Sequence, residues 1–198
     1  MKKFKPSDIL KPVIVLTAIC LITSALLAFT NDNTLPKIKD VNDQRAQDAR
    51  QEVLAAATFD PEKLHTKDDK GNPVENEYFI AKNESGEIIG YVFTTTAKSY
   101  GGKLEAMVGV RADGTVNAVK LLQISDTPGL GMKANNENWL ANFKNKVAGI
   151  TVNKNKPAEG ANEIQAITSA TVTSKAVTAA VNTALENFAT VTGGANNG

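Results

Sequence analysis

Glu77-Tyr78-Phe79-Ile80-Ala81-Lys82, then Asn83-Glu84-Ser85-Gly86, then Glu87-Ile88-Ile89-Gly90-Tyr91-Val92-Phe93-Thr94-Thr95-Thr96 is the stretch that decides the fold. Aromatic and β-branched residues fill both flanks, and the Asn-Glu-Ser-Gly between them is a turn signal, so the segment predicts a β-hairpin. Further along, Leu104 to Arg111 and Thr115 to Ile124 repeat the pattern around Ala112-Asp113-Gly114. Two hairpins in succession predict an antiparallel sheet. No fixed-period repeat extends beyond them.

Helical periods flank the strands. Asp40 to Ala57 places Ala46, Ala49, Val53, Leu54 and Ala57 at helical spacing, with Asp40 as N-cap. Near the end, from about Ser174, Val177, Val181, Ala184, Leu185 and Phe188 recur along one face. Asn136 to Phe143 predicts a short helix bearing Trp139, Leu140 and Phe143; Val147 to Val152 a further strand; Lys154 to Asn162 a polar loop; and Phe59 to Pro73 a charged loop. The fold class expected is therefore α+β, an antiparallel sheet of two hairpins with flanking helices, and it is preceded by one N-terminal transmembrane helix. That helix is read from Pro12 to Phe29, 18 residues without a charge, just enough to span a bilayer. A cleaved signal peptide shares the basic start, but its apolar region is shorter, and Ala25-Leu26-Leu27-Ala28 misses the small-x-small cleavage spacing.

The expected organisation is a basic flank at 1–11, the membrane helix at 12–29, a linker at 30–39 containing Pro36, a folded domain at 40–191 and a flexible tail at 192–198. Lys2, Lys3, Lys5 and Lys11 against Asp8 place the N-terminus in the cytoplasm and the folded domain on the extracytoplasmic side. The whole chain has a formal net charge of +1, so the rest of the chain is mildly acidic, with no clustered basic face for nucleic acid. The single cysteine, Cys20, lies in the apolar run, which excludes a disulfide framework and a thiolate metal site. The single histidine, His65, sits in a polar stretch without a visible orienting partner and reads as a solvated loop residue.

Candidate chemistry gathers in three stretches. Thr168-Ser169-Ala170-Thr171-Val172-Thr173-Ser174 carries five hydroxyls in seven residues just before the last helix. Thr173 or Ser174 suits an N-cap, which accounts for one hydroxyl and leaves the others without a reason. A helix N-terminus with free N–H groups also suits a phosphate, and the small Ser169 and Ala170 permit its approach. Thr127-Pro128-Gly129-Leu130-Gly131 and Tyr100-Gly101-Gly102 are turns where backbone amides can approach a planar ligand, with Tyr100, Leu130 and Met132 available to pack on it.

These motifs, with Gly90-Tyr91-Val92, Asp126-Thr127-Pro128-Gly129-Leu130-Gly131 and the N-terminal anchor, resemble the FMN-binding G subunit of Rnf-type ion-translocating ferredoxin:NAD oxidoreductases and the related C subunit of sodium-pumping NADH:quinone reductases. The chain length and loop form are nearer the G subunit. The resemblance implies an electron-transfer subunit with FMN joined by a phosphoester to Thr171, the last residue of a Ser/Thr-Gly-Ala-Thr motif. It further implies that Thr168, Ser169, Thr173 and Ser174 orient the phosphate and that Leu130, Gly131, Met132 and Lys133 border the ring, with Lys133 as a cation favouring the reduced anionic form. Other membrane subunits and a flavin transferase are the implied partners. Ser169 stands where the family has Gly, and Gln165 where it has Asp. Those two departures support an alternative: a membrane-anchored scaffold or regulatory protein on the same fold, with reversible or no flavin.

Overall fold

The computed structural model describes residues 6–67 and 73–193. The chain divides into two compact units, Met1–Arg45 and Ala46–Gly198. The first is the greater part of helix α1, Pro6–Val53. From Leu10 onward α1 is long and apolar enough to cross a membrane, with a mean hydropathy of 2.5 over its best window. Its hydroxyls suit apolar surroundings, since Thr23 Oγ1 donates to the Ile19 carbonyl at 2.9 Å and Thr30 Oγ1 to that of Leu26 at 2.8 Å.

Residues 30–39, expected as a linker, are helical. Pro36 lies within the helix and leaves the carbonyl of the exposed Asp32 without its usual backbone donor. The helix expected from Asp40 to Ala57 is thus the last part of α1 and ends at Val53, and Asp40 caps nothing.

In the second unit five strands form an antiparallel meander: β1 Thr58–Lys67, β2 Pro73–Lys82, β3 Ile88–Ser99, β4 Gly102–Arg111 and β5 Val116–Gln123. Both expected hairpins are present. Pairing of Ser99 with Gly102 joins them through the Tyr100-Gly101 tip into one sheet. The described part of the expected charged loop at 59–73 is strand: β1 pairs with β2 from Thr58↔Lys82 to Lys67↔Pro73. As an edge strand β1 tolerates Pro61, which has no amide hydrogen for a further neighbour.

Both faces of the sheet are covered, so neighbouring residues on β3 are buried in opposite directions: Val92 on one face and Phe93 on the other. Ala49, Val53 and Leu54, at and just beyond the end of α1, pack with Ala81, Val92 and Met107. On the other face α3, Thr171–Val191, lays Val177, Val181, Ala184, Leu185 and Phe188 onto Phe93, Leu104, Val108 and Val110. Burial of such aliphatic side chains contributes roughly 1.5–3 kcal/mol each and is the main force seating the helix.

Between β5 and α3 the chain makes a 3-10 turn at Gly131–Asn135, then α2, Glu137–Leu140, then a 3-10 turn at Ala141–Phe143. The strand expected at Val147 to Val152 forms instead at β6, Thr151–Asn153, paired in parallel with β7, Glu163–Gln165, away from the main sheet. The expected flexible tail falls outside the described residues from 194 onward.

Candidate functional site: a cavity at the start of the last helix

Thr171 is the first residue of α3, and no side chain caps that helix. The N-cap position belongs to Ala170, which has no hydroxyl. The cap expected at Thr173 or Ser174 is therefore corrected, because both side chains are engaged elsewhere. Ser174 is wholly buried; its Oγ accepts from the Ile167 N–H at 2.9 Å and donates to the Ala170 carbonyl at 3.0 Å, closing the turn that delivers the helix. Thr173 Oγ1 donates to Asp126 Oδ2 at 2.5 Å. Without a cap, the first-turn N–H groups and the positive end of the helix dipole are left for something else.

They open into a cavity of about 590 Å³ lined by Tyr100, Asp126, Thr127, Leu130, Gly131, Ser169, Ala170, Thr171, Val172 and Thr173. This lies within the size range of small-molecule sites. Its mouth is apolar yet left to solvent: Tyr100 is 76% exposed, Val172 55% and Leu130 42%. Large side chains exposed together around a concavity mark a surface shaped for a ligand.

Asp126 holds three of the walls together and was not among the candidate binding residues. It is 4% exposed. Its Oδ2 accepts from Ser99 Oγ and Thr173 Oγ1, each at 2.5 Å, and its Oδ1 from the Gly101 N–H at 2.6 Å. One carboxylate thus ties the end of β3, the Tyr100-Gly101 tip and the first turn of α3. Burial alone would raise its pKa, but the donations from Ser99, Thr173 and Gly101 outweigh burial and hold the carboxyl below the ordinary value of 3.8.

Two glycines are required by this packing. A Cβ on Gly131 would lie 2.5 Å from Asp126 Cβ and 2.7 Å from Thr173 Oγ1, and one on Gly101 would lie 2.1 Å from the Ser125 carbonyl oxygen. The loop from 127 to 132 folds on itself, with the Thr127 carbonyl accepting from Leu130 and Met132 N–H at 3.2 Å. Gly129 forms its open tip at φ 76°.

Of the residues expected at the site, the cavity brings together Tyr100, Thr127, Leu130, Gly131, Ser169, Ala170, Thr171 and Thr173. Gly101 supports it from behind through Asp126. Met132 and Lys133 line a neighbouring depression with Trp139 and Ile167. Thr168 lines a third, with Lys146, Lys156 and Gln165. Ser174 is enclosed on the buried face of the first turn of α3. Ser169 has φ 63°, a left-handed conformation in which a side chain is strained and glycine is not.

Residues 99–186 match the family model of the FMN-binding domain. The chain is 38% identical over 186 residues to the G subunit of the Na(+)-translocating ferredoxin:NAD(+) oxidoreductase complex of Acetobacterium woodii, covering 88% of this chain and 89% of that one. This chain belongs to the G-subunit family of Rnf-type complexes. A second member, the G subunit of the proton-translocating ferredoxin:NAD(+) oxidoreductase complex of Clostridium ljungdahlii, is 34% identical, over 90% of this chain and 91% of that one. Among solved structures the fold matches the C subunit of the Na(+)-translocating NADH-quinone reductase of Parabacteroides distasonis, with a TM-score of 0.58 at 19% identity, covering 79% of this chain and 94% of that one. It also matches Shewanella oneidensis NqrC, with a TM-score of 0.52 at 20% identity, over 69% and 67%.

Proposed function

We propose that this chain is the flavin-carrying electron-transfer subunit of a membrane-bound, ion-translocating ferredoxin:NAD oxidoreductase complex, with FMN joined by a phosphoester to Thr171 Oγ1. The observation that carries the reading is the partly buried Thr171 on an uncapped helix N-terminus, lining a cavity with an apolar mouth. Family membership supplies the redox context.

The residues present fit the group. The first-turn N–H groups of α3 and the helix dipole suit a phosphate beside Thr171. Tyr100, Leu130 and Val172 offer apolar and aromatic surface for a planar ring. Thr127 and Ser169 supply polar atoms at the rim. FMN, when bound, supplies the one- and two-electron chemistry. The chain's own residues attach it, orient it and shield one side from water. Asp126 keeps the Tyr100 tip and the helix start in register through its bonds to Ser99, Gly101 and Thr173. α1 anchors the protein in the membrane with its N-terminus in the cytoplasm, and the partners are the other membrane subunits and, during maturation, a flavin transferase.

The test is flavin fluorescence of the full chain, co-expressed with a flavin transferase, in a denaturing gel. A fluorescent band that disappears in Thr171→Ala supports the reading. A matured chain without added mass at Thr171 contradicts it. The strained Ser169 favours one rival specifically, a scaffold that has lost its flavin; it predicts unchanged complex activity in Thr171→Ala.

A further inference from the structure

Asp126 does more than an uncharged residue in its place would need to do. It lines the cavity, it is 4% exposed, and three donors from three segments converge on it. All three donors are neutral. Among the described residues no lysine, arginine or histidine lies within ion-pair distance of it, and no charged side chain shifts its titration. The fold has therefore placed one negative charge without an ion-pair partner in the wall of the cavity. Hydrogen bonds from neutral groups delocalise that charge but do not cancel it.

Position makes the charge consequential. The same carboxylate is the shared anchor for Thr173, two residues beyond Thr171, and for Gly101, next to Tyr100, so it sits between the two sides of the cavity. Interactions of a unit charge in so enclosed a place are several times stronger than in water. A redox group that gains electrons there gains negative charge wherever proton uptake does not keep pace, and a fixed negative neighbour opposes that gain.

Resting on the flavin reading above, we propose that Asp126 is a tuning residue: its carboxylate lowers the reduction potential of the flavin held in this cavity, and the Ser99 and Thr173 hydroxyls moderate that effect. Asp126 would thereby make the bound flavin a stronger reductant than the same pocket with a neutral side chain. The sequence gives no hint of this arrangement, because the donors lie 27, 25 and 47 residues from the acid.

The experiment is a potentiometric titration of the full, flavin-loaded chain, followed by flavin absorbance, for wild type, Asp126→Asn and Ser99→Ala. Asp126→Asn removes the charge and is expected to shift the midpoint to a more positive value. Ser99→Ala keeps the charge, removes one moderating donor and is expected to shift it the opposite way. A purely structural role for Asp126 predicts no such pair of opposite signs. Unchanged midpoints, or shifts of the same sign in both variants, would overturn the inference. If Asp126→Asn fails to fold, Thr173→Val takes its place beside Ser99→Ala: both are then expected to shift the midpoint negative, and an unchanged value in both overturns the proposal. A wild-type chain that carries no flavin contradicts the functional reading and this inference with it, whereas a loaded chain whose potential ignores Asp126 overturns the inference alone.

Discussion

The two ends of α3 lie on the same sheet and are held by opposite means. At its C-terminal end Phe188 meets Tyr91 edge-on, with ring centroids 5.4 Å apart, and Tyr78 and Phe93 stack beside them at 5.5 Å. At its N-terminal end a buried carboxylate, two hydroxyls and a backbone amide take the place of the rings, and a cavity opens beside them. Apolar packing is non-directional and fills space, whereas hydrogen bonds fix atoms in place without filling it. The aromatic end accordingly serves stability. The polar end gives up packing to hold a concave site in a defined geometry.

Substitutions at the two ends separate these roles. Phe188→Ala is expected to have the largest effect on stability, a loss of about 3–5 kcal/mol in urea unfolding, the usual cost of removing a buried ring. Under conditions where that variant is folded, its flavin content should match wild type. Asp126→Ala is expected to cost less, about 1–3 kcal/mol for buried donors left unpaired, yet to reduce flavin incorporation severalfold. Equal flavin content in the two variants would break the division between the ends.

Acid acts on the polar end through Asp126. Because the folded pKa of Asp126 is depressed, its contribution to stability is complete above the unfolded value near 3.8 and is lost as pH falls through the folded value. The wild-type urea midpoint should therefore fall more steeply than that of Asp126→Asn as pH drops from about 5 toward 2, and parallel curves would contradict the assignment. Ser169→Gly is the smallest change. Release from φ 63° is offset by the greater unfolded-state freedom of glycine, for a net gain of about 1 kcal/mol or less in thermal unfolding.

The sheet was legible in the sequence where local signals agreed. β2 to β5 alternate or run apolar between glycine-containing turns, and the structure places strands there. β1 was not legible, because an edge strand buries little: Leu64 is its one buried residue among those described, and the charged remainder reads as loop. The continuity of α1 through Pro36 was hidden because proline ordinarily ends or kinks a helix, and no local signal marks the exception. At the site, the hydroxyl cluster and both glycine turns stood out by composition. The distribution of tasks among the hydroxyls did not, because Thr173 and Ser174 are committed by partners that only the fold brings near. Asp126 is the extreme case. Its place in the motif was visible, and its threefold hydrogen bonding was not.

The central claim rests on Thr171 as the attachment point, and intact-protein mass spectrometry of the transferase-matured full chain tests it most directly. Wild type and Thr171→Ser, which retains the hydroxyl, should each carry the added mass of one FMN. Thr171→Ala should carry none, with its unfolding midpoint unchanged because that hydroxyl supports no wall of the cavity. Flavin mass retained in Thr171→Ala, or absent from wild type, would contradict the account.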